Sequence, residues 1–113
     1  MEHHMTLYER PFELIKNQQK TIEIRLNDEK RQRIAIGDLI TFSKLPEKNE
    51  KLTVEVMDKY LFESFEQLYH AFDFFLFGCQ GYTMKRMLEG TYEIYTPEQE
   101  KKYGVLGIKI RLI

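Results

Sequence analysis

The segment from Lys20 to Leu26 alternates more cleanly than any other stretch of the chain, and it constrains the fold more than any other feature. Ile22, Ile24 and Leu26 fall on one face of a strand, and Thr21, Glu23 and Arg25 fall on the other. Residues two apart on a strand project from the same side about 6.6–7 Å from one another. The polar face is therefore a row of hydroxyl, carboxylate and guanidinium, with the flexible ammonium of Lys20 at its start. A face carrying both signs suits a neutral, planar, polar ligand such as a nucleobase, since arginine donates through a fork and glutamate accepts. The ordinary alternative is the wetted side of a half-buried sheet, where a Glu23/Arg25 pair contributes less than about 1 kcal/mol. Alternation alone favours that ordinary alternative.

The rest of the chain switches repeatedly between strand and helix periods, without internal repeat, low-complexity tract or proline-rich linker. Pro11 opens a short helix to about Asn17, with Phe12 and Ile15 on its apolar side. Gly37-Asp38 is a turn signal before a strand over Leu39–Phe42, and residues 46–50 form an exposed hairpin connection. Alternation resumes from Lys51 to Tyr60. Ser64 with Gln67 has the spacing of a capping box and starts a helix toward Phe72. A further helix is predicted over Thr83–Tyr92, with Met84, Met87 and Leu88 on one side. Thr96-Pro97-Glu98-Gln99 repeats the capping logic for a short helix that Gly104 closes with a left-handed cap. Val105–Ile113 closes the chain as a strand. Strands at both ends with helices between them predict an α+β domain and not a doubly wound one.

Length and charge narrow the function classes. A chain of 113 residues holds one core, so residues 1–113 are read as a single domain. Its 17 basic and 18 acidic side chains leave a formal charge of −1, which argues against tight, sequence-blind grip on long duplexes. Cys79 is the only cysteine, so neither an intrachain disulfide nor a cysteine zinc site is expected. His3, His4 and His70 lack a metal-ligand spacing, and His3 and His4 are assigned to a mobile end. No metal and no cofactor are predicted. No apolar run approaches the roughly 20 residues needed to cross a bilayer, and the start lacks the pattern of a secretory signal, so no membrane partner and a cytoplasmic location are expected. Oligomeric state is left open.

Several segments taken together resemble a known family. Pro11-Phe12-Glu13-Leu14-Ile15, the Lys20-Thr21-Ile22-Glu23-Ile24-Arg25 strand, Gly37-Asp38 before a strand, Tyr95, and the ending Glu100-Lys101-Lys102-Tyr103-Gly104-Val105-Leu106-Gly107-Ile108 occur in the order seen in the ASCH domain. This is the activating signal cointegrator homology family, related to the PUA RNA-binding domains. The resemblance covers nearly the whole chain. It implies a PUA-like twisted β-barrel with flanking short helices, and a cleft beside the Lys-Glu-Arg strand that receives RNA or a nucleotide. The charged row would then line that cleft, which reverses the preference for a merely wetted face.

Some ASCH-like proteins are small amidohydrolases that deacetylate N-acetylcytidine, and this resemblance supplies a second reading with a modified nucleoside as substrate. Lys20 and Arg25 match their strand, but Glu23 stands where those enzymes carry threonine. On this reading Lys20 and Glu23 are the catalytic candidates, with Glu23 as general base toward water and Lys20 as electrophile or proton donor. Thr21 is the substitute hydroxyl, and Glu63, Glu66 and Asp73 compete for the downstream acid. In the binding reading Lys20, Thr21, Glu23 and Arg25 contact the base, with Glu23 accepting from an exocyclic amine. Lys30, Arg31 and Arg33 supply phosphate contacts from the basic cluster that follows. A third reading is a protein-interaction domain presenting an apolar patch from the aromatic 60–82 segment. Helical spacing of Phe65, Leu68, Tyr69 and Phe72 assigns most of that segment to the core.

Overall fold

Val105–Ile110 is an almost continuously buried run, interrupted only at Lys109, and a strand of that kind must be covered on both faces. In the computed structural model, which describes residues 1–113, this closing strand is the second-to-last member of a five-stranded sheet. Numbered along the chain, the strands are β1 (Glu2–Leu7), β2 (Ile22–Leu26), β3 (Leu39–Lys44), β4 (Lys51–Phe62) and β5 (Val105–Leu112). Their order across the sheet is β1-β3-β4-β5-β2. β1 runs parallel to β3, and the other three pairings are antiparallel. The helices are α1 (Glu9–Lys16), α2 (Phe65–Ala71), α3 (Met84–Tyr92) and α4 (Pro97–Tyr103), with short 3₁₀ turns at Arg31–Arg33 and Phe74–Phe77.

The sheet curls into a half-barrel, as in the PUA-like folds, and separates two apolar clusters. Inside the curl, Phe12 and Ile15 of α1 pack on Met5, Leu7, Ile40, Phe42, Val54, Val56, Leu106 and Ile108. On the outer side, Ile22, Leu26 and Val105 meet Phe65, Leu68 and Tyr69 of α2, Phe77, and Met87 of α3. The aromatic segment is thus mostly core, as its helical spacing predicts, with ring pairs such as Tyr69–Phe77 edge to face at 5.4 Å; Phe75 is an exposed exception. At Gly107 the α2 layer presses closely on β5. A Cβ there would stand 3.1 Å from Leu68 Cδ1, so Gly107→Ala is expected to destabilise the fold by about 1 kcal/mol in urea unfolding, and by less on a Leu68→Ala background.

Three local expectations need correction. Residues 2–7 are an ordered strand, not a mobile end. His3, Met5 and Leu7 turn inward, and His3 Nε2 lies 2.9 Å from Asp38 Oδ2 in the Gly37-Asp38 turn. The alternation was present in the sequence, but the pairing that stabilises it joins β1 to a strand some 37 residues away, Glu2 opposite Leu39. At α2 the Ser64 hydroxyl accepts from Gln67 N at 3.1 Å, yet the Gln67 side chain bonds Glu63 N, one residue before the position a reciprocal box requires. The box is complete at Thr96/Gln99. Gly104 has the positive φ of +75° expected of it, but its ψ of −175° turns the chain straight into β5 instead of making a left-handed cap.

Candidate functional site

The barrel is open between β1 and β2, and side chains bridge the gap. In a parallel edge strand every second carbonyl points away from the sheet, and two of these on β1 need donors. Arg25 Nη2 donates to Thr6 O at 2.9 Å and Lys30 Nζ donates to His4 O at 2.8 Å. Arg25 is thereby fixed across the seam from its place on β2.

Glu23 lies beside it, 3% exposed, between two cations. Its Oε1 accepts from Lys20 Nζ at 2.9 Å and from the backbone N–H of Ile24 at 3.0 Å. Its Oε2 accepts from Arg25 Nε at 3.2 Å and Nη2 at 3.0 Å. A carboxylate has about four lone-pair positions, and all are engaged. Burial pushes this carboxyl up, but the charges and hydrogen bonds of Lys20 and Arg25 outweigh it and hold Glu23 at about 2. The donors are less fully used. Lys20 Nζ has three hydrogens and one partner, and Arg25 Nη1 has no intramolecular acceptor.

These groups line a cavity of about 490 Å³ between β1, β2, α1 and α3. Its walls are largely apolar, from Ile24, Phe65, Tyr69, Phe77 and Met87. Tyr95 stacks on Phe65 with ring centroids 5.3 Å apart and planes 17° from parallel. Burial pushes the Tyr95 phenol up, so its hydroxyl stays protonated near neutral pH. Phe65 is held in place by the buried Glu100 of α4. Its Oε2 accepts from Phe65 N at 2.7 Å, and the carboxylate also accepts from Tyr92 Oη at 2.8 Å. The partial positive charge at the start of α2 favours a carboxylate at that point.

Two further arginines line the cavity. Arg10 Nη2 donates to Tyr82 Oη at 3.2 Å, and the Arg86 guanidinium lies over the Tyr82 ring, 4.0 Å from its centroid. Neither was singled out from the sequence, because Arg10 reaches this cluster from 72 residues away and its arrival is what makes the Tyr82/Arg86 contact part of a site.

The predicted residues separate accordingly. Lys20, Glu23 and Arg25 meet in the cavity. Thr21 does not: its N–H donates to Leu76 O, and it lines a different groove of about 310 Å³ with Gln18, Gln19 and Gln80. β2 starts only at Ile22, so the strict alternation assumed for Thr21 does not extend to it. Lys30 is engaged with β1, Arg31 pairs with Asp28 at 3.0 Å, and Arg33 is exposed on its 3₁₀ turn; none of the three lines the cavity. Glu63, Glu66 and Asp73 are also outside it, all three being exposed, Glu66 on the solvent side of α2. Cys79 is half-buried in the cavity wall, and burial pushes its thiol up. No group of His, Cys, Asp and Glu side chains has the arrangement of a metal site, and no helix is long and apolar enough to cross a membrane.

Comparison with known proteins agrees with this architecture. No curated protein matches the chain. The crystal structure of the hypothetical protein PH0355 superposes with a TM-score of 0.90 at 34% identity, covering 100% of both chains. The solution structure of Protein PF0455 from Pyrococcus furiosus gives a TM-score of 0.79 at 35% identity, covering 100% of this chain and 98% of that one. The family model of the ASCH domain matches residues 5–113, and the chain therefore belongs to the ASCH domain family.

Proposed function

We propose that the cavity binds RNA or a nucleotide, and that Lys20 and Arg25 are its recognition donors. One observation carries the reading: an apolar cavity of a size suited to one small ligand has four cations in its wall, Arg10, Lys20, Arg25 and Arg86, against the single carboxylate of Glu23. A local excess of three positive charges on a chain of net charge −1 is a concentrated feature, not a reflection of bulk composition. Tyr95, half-buried and stacked on the buried Phe65, offers a π-surface beside these donors, the usual partner of an unstacked base. Membership of the ASCH family, whose domains are generally RNA-binding in character, points the same way.

Within this reading Glu23 orients the two cations and does not itself contact the ligand. Its lone pairs are engaged and its carboxyl is held at about 2, so it is a weak base toward water and a poor acceptor for an exocyclic amine. The same facts weigh against deacetylation of N-acetylcytidine, for which Thr21 is also turned to another groove. The ligand edge that fits is one presenting acceptors to Lys20 and Arg25.

Chemical-shift perturbation with short single-stranded RNAs and nucleotides tests the proposal. Shifts are expected at Lys20, Arg25 and Tyr95, and Arg25→Ala is expected to weaken binding by about tenfold or more. The affinity should fall with salt as for only a few phosphate contacts. A panel that leaves the cavity resonances unmoved would remove the nucleotide reading and favour the protein-interaction one.

A further inference from the structure

The polar groups of the cavity are not spread evenly, and their division bears on which nucleotides it takes. At one end stands Arg25, with its unused Nη1, fixed to the Thr6 carbonyl of β1. At the other stand Arg10, Arg86 and Lys20. Glu23 joins the two ends, Oε1 to Lys20 and Oε2 to Arg25.

The second end has an electrostatic peculiarity. Arg10 and Arg86 are both held on Tyr82, one at its hydroxyl and one over its ring. Neither makes an ion pair with any carboxylate of the chain, whereas the other two cations of the cavity wall, Lys20 and Arg25, both pair with Glu23. The two guanidiniums held on one ring repel each other, screened by solvent because both side chains are exposed. Lys20 and Cys79 line the same cavity as these two arginines. Arg10, Arg86 and Lys20 thus all line the cavity, and Glu23, paired with Lys20, is the one carboxylate in its wall.

Resting on the nucleotide reading, we infer that this corner is a phosphate site: the ligand is a nucleotide bearing a phosphomonoester, its phosphate held by Arg10, Arg86 and Lys20 and its base against the Phe65/Tyr95 stack. A phosphomonoester carries about −1.5 to −2 charge at pH 7 and three strong acceptor oxygens, which matches three donors better than the single charge of an internal phosphodiester. The volume of about 490 Å³ accommodates one such unit and no duplex. A free mononucleotide and the phosphorylated end of an RNA chain share this chemistry.

Affinities for the four ribonucleosides, their 5′- and 3′-monophosphates, and a short single-stranded RNA with and without a terminal phosphate distinguish these cases at low salt. At least one monophosphate is expected to bind about tenfold or more tightly than its nucleoside. The doubly substituted Arg10→Gln/Arg86→Gln protein is expected to lose that difference. Both arginines are exposed, so the fold should survive, and dispersed amide resonances would verify it. A preference for the RNA only when its end is phosphorylated identifies a chain end; binding confined to the mononucleotides identifies a soluble nucleotide. Equal affinity for nucleoside and monophosphate, a difference that persists in the double variant, or equal binding of RNA lacking the terminal phosphate would each overturn the inference while leaving nucleotide binding intact. Failure of nucleotide binding itself has another signature, no perturbation of Lys20, Arg25 or Tyr95 by any member of the panel.

Discussion

Glu23→Ala is expected to lower unfolding free energy by about 3–5 kcal/mol, the range for removing one partner from a buried ion pair. The loss arises from what remains and not from the contact deleted. Lys20 and Arg25 have side-chain exposures of 12% and 13%, and without Glu23 they are two like charges in a poorly hydrated space. Glu23→Gln keeps the shape and the acceptor facing Lys20 but not the charge, and should fall between the wild type and Glu23→Ala. Acid separates the two effects. The carboxyl is held at about 2 in the fold against an ordinary 4.5, so its ionisation contributes stability in full above about pH 4.5. That contribution, about 3 kcal/mol at 1.36 kcal/mol per pKa unit, disappears as pH falls through 4.5 toward 2. Urea unfolding of wild type and Glu23→Gln should therefore converge across that window. A gap that stays constant between neutral pH and pH 3 would mean that the carboxylate is not ionised between its two cations.

Glu100→Ala is expected to cost about 2–4 kcal/mol, through a different route. The Phe65 N–H is at the first turn of α2, where no helical carbonyl can accept from it, and Phe65 itself is fully buried. Alanine leaves that donor and the Tyr92 hydroxyl without their shared acceptor. Because Phe65 carries the Tyr95 stack, the effect should reach the cavity as well: slower-relaxing or broadened Tyr95 resonances, with a weaker ligand response, are expected alongside the loss in urea. Glu100→Gln retains one acceptor and should lose less. A change under about 0.5 kcal/mol for Glu100→Ala, the range of ordinary surface substitutions, would show that α4 does not hold α2 in place.

Glu100 illustrates a limit of sequence reading. In the chain it is one of two acids in a short helix that begins with a capping box, and by position it belongs to a solvated first turn. Its burial depends on Phe65, which is 35 residues away. Arg10, Tyr82 and Arg86 are a second case, since no window around any one of them predicts that two guanidiniums share a ring. Lys30, Arg31 and Arg33 are the converse: in a basic run conspicuous in sequence, Arg31 pairs with nearby Asp28, Lys30 reaches a β1 carbonyl and Arg33 faces solvent, and all three stay out of the cavity. β1 lies between these extremes. Its inward His3, Met5 and Leu7 alternate as a strand should, but its partner β3 comes only after a helix and another strand.

Residues 20–26 mark the boundary most clearly. Strand period, the opposition of Ile22 and Leu26 to Glu23 and Arg25, the terminal strand, and the Thr96 cap were all determined by neighbours within a few positions, because φ/ψ sterics and side-chain direction are local properties. Whether the charged row meets water or an enclosed hollow was decided only when α1, α3 and β1 closed around it. The physical reason is that hydration and electrostatic field depend on everything within several ångströms, and in a curled sheet most of that material comes from remote parts of the chain.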